Sequence, residues 1–208
     1  MSPLSHLPWN QNASALLENE HVELHPVTED DRAALRKIAF DDRIWTYFVS
    51  RVQTDADFEK FFDAMLADQS SGKRACYVVV DKGTGLVAGS SSYGNLSEPD
   101  LRLEIGWSWL GTDFQGKGVN RWVKYLLMRH AFDVLGAERV EFKTDVLNLQ
   151  ARAGLRNIGA FEEGVLRGFN PMPEGRRRDA IYYSVLRAEW PSIQDQLSRT
   201  GKAGNPCA

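Results

Sequence analysis

The hexapeptide Gln115-Gly116-Lys117-Gly118-Val119-Asn120 stands directly before the most regular helical pattern in the chain. Its two glycines let backbone N–H groups converge with no Cβ in the way. A helix start adds orphan donors and a partial positive charge, so the stretch reads as a cradle for an anion such as a diphosphate. From Val119 to Leu135, the residues Val119, Trp122, Val123, Leu126, Leu127, Ala131 and Val134 make one apolar helical face. Gly136 suits the left-handed position just past its end.

Two common phosphate motifs fit this loop poorly. Gly111 to Lys117 satisfies a P-loop up to its last place, where Gly118 replaces the Ser or Thr hydroxyl that coordinates magnesium. The strand before it carries Arg102 and Glu104, unlike the near-continuous apolar strand of a doubly wound parallel sheet. A dinucleotide fingerprint needs a third glycine where Arg121 stands. A glycine-containing turn that binds nothing stays open on the hexapeptide alone.

Upstream, Leu101 to Trp109 alternates as a strand, and Ala75 to Asp81 with Leu86 to Tyr93 around Gly83-Thr84-Gly85 read as a hairpin, followed by a loop from Gly94 to Asp100. Thr54 with Asp57 caps a helix bearing Phe58, Phe61, Phe62, Met65 and Leu66. Thr28 with Asp31 opens a shorter one, with Leu35, Ile38 and Ala39 as its buried stripe, after a first strand from Val22 to His25. Downstream, Val140, Phe142, Thr144 and Val146 alternate with Glu141, Lys143 and Asp145 as a half-buried strand. Asn148 begins a helical stretch to Asn157. Strands at Phe161 to Arg167 and Asp179 to Arg187 flank a polar loop from Asn170 to Arg178. The sum is an α+β domain, a mixed sheet with helices on its faces.

At 208 residues, 43% apolar and 25% charged, the chain has the size and composition of one ordinary globular domain. The expected division is an N-terminal extension over 1–16, a domain over 17–191 and a polar tail over 192–208. A net charge of -3 argues against general nucleic-acid affinity, which needs a basic surface. Cys76 and Cys207 make no disulfide framework, no secretory leader pattern opens the chain, and no run of about 18 apolar residues occurs, so a cytoplasmic protein without membrane contact is expected. His21 and His25 lack a third ligand, so no metal is expected. Arg176-Arg177-Arg178 reads as a solvated charge run.

The succession Leu103-Glu104-Ile105-Gly106-Trp107, then Gln115 to Asn120, Lys124-Tyr125-Leu126-Leu127, Arg129-His130-Ala131-Phe132, Leu135-Gly136-Ala137, Arg139 to Asp145, Asn148, Gly159-Ala160, Glu163 to Arg167 and Arg178-Asp179, resembles the RimJ/RimL-like branch of the GNAT N-acetyltransferase superfamily. The resemblance covers Leu17 to Trp190 in the family's order. It implies the GNAT fold, a mixed, mostly antiparallel splayed sheet flanked by helices. It also implies acetyl transfer from acetyl-CoA, with no metal, to a primary amine of a protein N-terminus or small molecule, by direct attack in a ternary complex. Homodimers are common in the branch.

The same resemblance assigns residues. Pantetheine lies in the splay and pairs with strand backbone near Trp107 and Trp109. The diphosphate is held by Gln115, Gly116, Lys117, Gly118, Val119 and Asn120, with Lys117 and Arg152 as outer phosphate contacts, and Asn148 meets the pantetheine or thioester end. Glu104 is the implied general base, since an ammonium has no lone pair with which to attack; its rival role is a partner for Arg102. Trp45 and Phe48 fall where the family's acceptor-binding turn lies, although an aromatic cluster also suits a core. With Tyr93 and Arg102 they are the candidate acceptor contacts. Where members carry Ser three residues after the asparagine, or Tyr seven after it, as proton donors to the thiolate, this chain has Ala151 and Leu155. Water, Tyr183 or Tyr93 then serves, or the chain is an acyl-CoA-binding module with little turnover.

Overall fold

The computed structural model describes residues 8–199. Strands β1 (Leu17–Glu18), β2 (Val22–Pro26), β3 (Ala75–Asp81), β4 (Leu86–Ser97), β5 (Arg102–Leu110), β6 (Arg139–Asp145), β7 (Phe161–Pro171) and β8 (Arg177–Leu186) form one sheet. Its order is β1-β2-β3-β4-β5-β6-β8-β7. Neighbours are antiparallel except β5 and β6, and that parallel pair is short: Arg102, Leu103 and Glu104 face Arg139, Val140 and Glu141. Beyond Glu104, β5 stays with β4 and β6 stays with β8, so the sheet splays open between two backbone edges.

Helices cover both faces: α1 (Trp9–Asn12), α2 (Arg32–Arg36), α3 (Asp42–Trp45), α4 (Asp55–Ser70), α5 (Val119–Arg129), α6 (Leu149–Asn157) and α7 (Trp190–Arg199). One core joins α5, α6 and α7 to the sheet through Leu126, Leu127, Leu155 and Trp190 against Leu103, Ile105 and Phe142. The other joins α2, α3 and α4 through Leu35, Trp45, Phe58 and Met65 against Cys76, Val78 and Trp109. Strand β3 sends Tyr77 and Val79 into the first core and Cys76 and Val78 into the second, which is why its sequence is continuously apolar. The capping boxes at Thr28 and Thr54 both form, each with the predicted aspartate. No helix of the described residues is long and apolar enough to cross a membrane.

Several expectations are corrected. The helix expected to Leu135 is regular to Arg129 and then widens into a π turn over His130–Val134, where Leu135 N–H reaches back to His130 O. The wider turn rotates Val134 into solvent while Ala131 and Phe132 stay in the core. The loop expected from Gly94 is strand as far as Ser97, and β7 and β8 consume much of the polar loop between them. The alternation of β6 breaks at its end, where Asp145 is fully buried. Asp145 pairs with Arg176, and Arg178 is also buried, its Nε donating to Asn170 Oδ1 at 3.0 Å, so the arginine run is not a solvated tract.

The described parts of the expected extension and tail, residues 8–16 and 192–199, also pack onto the body. Trp9 is buried, its indole N–H donating to Leu135 O at 2.8 Å, and the Tyr77 hydroxyl donates to Ala13 O. Helix α7 docks Trp190, Ile193 and Leu197 on the first core. Amphipathic spacing in this stretch was masked by the polar residues around it. Cys207 and the end of the expected tail lie outside the described residues.

Candidate functional site

Glu104 is the last residue of β5 paired with β6 before the strands part, and its side chain is almost wholly buried. Its Oε2 accepts hydrogen bonds from Asn95 Nδ2 at 2.8 Å and from Lys143 Nζ at 3.3 Å. Both bonds fall on the one oxygen. Oε1 lies beside Gly106, where a Cβ would come within 3.0 Å of it. Asn95 reaches Glu104 from a left-handed turn, φ 48°, at an irregularity in the β4–β5 register. Arg102 is not the partner of Glu104; its guanidinium leans to Asp100 at 3.5 Å and Glu141 at 3.8 Å.

Together Asn95, Arg102, Glu104, Glu141, Leu166 and Tyr182 line an open cleft of about 520 Å³. Lys143, whose ammonium lies 5.0 Å from the Phe169 ring and 5.7 Å from that of Tyr182, closes the carboxylate off from β6. Sequence reasoning treated Lys143 as a polar alternate only. The signal was present, since the alternation of β6 puts Lys143 on the face of Glu141, which registers with Glu104.

Past Glu104 the free edge of β5 is bent. Trp107 adopts φ 50° where two residues of β5 stand opposite Ser91, a bulge that re-aims the strand. Its ring packs so closely on Gly94 that a Cβ there would come within 2.3 Å, and the Arg74 guanidinium stacks over it at 5.1 Å. Trp107 also borders a second cleft of about 480 Å³ with Phe61, Arg74 and Asn95. Trp109 is buried in the second core, 5.3 Å from Trp45, with its backbone registered to Ser90 of β4.

The glycine loop is braced from below. Phe114 is buried, and Gln115 Nε2 donates to Leu110 O at 2.9 Å, so the Gln115 side chain holds the loop to the end of β5. Gly116 and Gly118 adopt φ 72° and 83°, and open space lies where a Cβ of either would project. Gly118 is the N-cap of α5 with no side chain over it, and Lys117 and Asn120 are exposed while Val119 is buried. No side-chain hydrogen bond caps the start of this eleven-residue helix.

Other expected contacts are committed elsewhere. Asn148 caps α6, its Oδ1 accepting from Ala151 N at 3.0 Å. Arg152 donates to Val146 O at 3.0 Å and Tyr183 Oη at 3.3 Å and lies 3.6 Å from Glu162. The Tyr183 hydroxyl in turn donates to Glu162 at 2.7 Å. Tyr93 is fully buried, its hydroxyl donating to Leu127 O and its pKa driven well up by burial, so it neither meets an acceptor nor donates to a thiolate. Trp45 is a core residue, its indole N–H donating to Ala39 O at 2.7 Å, and half-buried Phe48 packs edge-on against it at 5.4 Å. The cluster is core because the short α3 turns inward under α4. Burial pushes the Cys76 thiol up, which suits a packing role. His21 stacks on Trp122 at 4.2 Å, and no metal-binding cluster occurs among the described residues.

A family model described as an acetyltransferase (GNAT) domain matches residues 21–160. The chain belongs to that family. Its mixed, mostly antiparallel splayed sheet is the GNAT fold expected from the sequence. A Bacillus subtilis (strain 168) protein named "Putative ribosomal N-acetyltransferase YdaF" is 35% identical over 106 residues, covering 51% of this chain and 57% of the relative. The match thus spans little more than half of that relative's length. A solved GCN5-related N-acetyltransferase from Brucella melitensis is 25% identical with a TM-score of 0.83, over 89% of this GNAT chain and 85% of its own. Mycobacterium smegmatis RimJ, solved in complex with CoA-disulfide, shares the fold at a TM-score of 0.78 and 21% identity, over 92% of this chain and 97% of that one.

Proposed function

We propose that this GNAT chain transfers an acetyl group from acetyl-CoA to a primary amine, with Glu104 as general base. The observation that carries the reading is a buried carboxylate, anchored through one oxygen only, at the point where β5 and β6 part. The residues present suit acetyl-CoA. Gly116 and Gly118 hold the left-handed turns of a backbone cradle, the uncapped start of α5 suits a diphosphate, and the parted edges of β5 and β6 suit an extended amide-bearing arm.

Acetyl-CoA brings the acyl carbon already activated as a thioester. Glu104 takes the proton that the nitrogen must shed, directly or through one water, and Asn95 and Lys143 hold the carboxylate in place while it does so. An N–H of Ile105 or Trp107 on the bent stretch of β5 is the donor for the charge that develops on the acyl oxygen. No side-chain nucleophile takes part. Relatives named for ribosomal acetylation support a protein N-terminus as the acceptor class to examine before small amines.

Incubation of peptide and small-amine libraries with isotope-labelled acetyl-CoA, read by mass spectrometry, is expected to give acetylated amine and free CoA in equal amounts. Tight CoA binding with no acetylated product would favour the acyl-CoA-binding module. On a good acceptor, Glu104→Gln is expected to lower kcat by about 10²-fold or more while CoA affinity is kept. An unchanged rate and pH profile would remove Glu104 from the base role.

A further inference from the structure

Helix α5 carries a lysine inside its buried face. Lys124 is only 6% exposed, and its Nζ donates to Ser108 Oγ of β5 at 2.6 Å and lies 5.8 Å from the ring of Phe142 of β6. Ser108 Oγ is 2.7 Å from Ser91 Oγ of β4. Ser108 and Phe142 both lie beyond the last β5–β6 pair, so the ammonium sits across the splay. It does so on the face covered by α5 and α6, whereas Glu104 serves the opposite face. A base and an acid therefore flank the gap from its two sides.

Burial lowers the Lys124 pKa to about 7, against the opposing pull of the Glu104 charge. Ser108 of β5 and Phe142 of β6 meet its ammonium directly, and the charge that acts on it is that of Glu104. Such a lysine weakens the fold: a methionine would fill similar space without desolvating a charge. A buried charge that costs stability and borders a cleft is a candidate for chemistry, and the α6 positions that offer a proton donor in related enzymes hold Ala151 and Leu155 here.

We propose that Lys124, relayed by Ser108, supplies the proton that the departing CoA thiolate takes up; this rests on the acetyl-CoA reading above. The acceptor nitrogen bonds to the acyl carbon and gives one proton to Glu104. The C–S bond breaks with its electron pair on sulfur. Sulfur takes the Ser108 hydroxyl proton, and Ser108 recovers one from Lys124 Nζ. Lys124 is left neutral and Glu104 protonated, and exchange with water resets both. Ser108 meets the sulfur, and Lys124 acts through it.

The test compares wild type, Lys124→Met and Ser108→Ala by thermal melting across pH and by steady-state kinetics. A lysine whose folded pKa is depressed penalises the fold fully below about 7 and not at all above its unfolded value. Lys124→Met is therefore expected to melt above wild type by about 5 °C or more at neutral pH and below, the gap closing toward pH ~10. Its kcat should fall about 10²-fold with KM for acetyl-CoA unchanged, and the loss of rate on the alkaline side should vanish. Ser108→Ala should share the kinetic defect and melt below wild type, because it strips the buried ammonium of its acceptor. A Lys124→Met protein that melts below wild type, as a structural lysine would require, overturns the proposal. Normal turnover in either variant overturns the relay alone, whereas a wild-type protein that releases no thiol with any amine overturns acetyl transfer as well.

Discussion

Gly106 gives Glu104 its working space. A methyl group there would press on Oε1, the oxygen that Asn95 and Lys143 leave open. Gly106→Ala is therefore expected to lower kcat with little change in melting temperature, a split that parallel kinetics and calorimetry would read. Nearer the β1 edge of the sheet, His25 Nε2 and Asp31 meet at 2.9 Å. The hydrogen bond to Asp31 raises the His25 pKa above 6.5. Burial works against ionised Asp31, yet its bonds from His25 and Thr28 bring its pKa below the usual value. The raised histidine contributes stability that is fully present below pH 6.5 and is lost as pH climbs through its folded pKa. The lowered aspartate contributes stability that is lost as pH falls through its own. Wild type should thus exceed His25→Ala most in the mildly acidic window between the two, with the melting gap narrowing on either side.

Among elements, α4 shows how local chemistry starts a helix. Thr54 accepts from Asp57 N–H at 3.2 Å, and Asp57 accepts from Thr54 N–H at 2.9 Å. Thr54→Ala is expected to cost about 1 kcal/mol and to lower the melting temperature by roughly 2–4 °C. That start was readable because both partners sit within four residues of each other. So was the face of α5, up to the π turn, where a change of helical pitch left no mark in the apolar spacing and Val134 was misplaced. The splay is different in kind. Nothing in the alternation of β5 or β6 tells that their pairing stops at Glu104 and Glu141, because that depends on register between strands joined through a whole helix. Family resemblance supplied it, along with the role of Glu104. Lys124 and Lys143 were missed for the same reason, since each takes its meaning from a residue distant in sequence.

At the scale of the molecule, the first core draws on segments from both flanks of the described chain. Trp9 and Ala13 enter the first core from one end and Trp190, Ile193 and Leu197 from the other, all against the elements that carry α5. A protein truncated after Glu189 is expected to lose its cooperative thermal transition, because three buried apolar side chains worth about 2 kcal/mol each leave together. Circular dichroism on heating would check it, and a sharp transition near that of wild type would contradict it. The parted sheet also has a mechanical reading. Strands β1 to β5 form one stiff leaf and β6 to β8 another, joined within the sheet by three facing residue pairs at one end, like the two arms of a clothes peg around its spring. Lys143, bonded to Glu104 where the joined end stops, and Lys124, beside the parted strands on the other face, mark the point from which the jaws open. An arm of ligand backbone threaded between them would stiffen the whole plate without moving either leaf's interior.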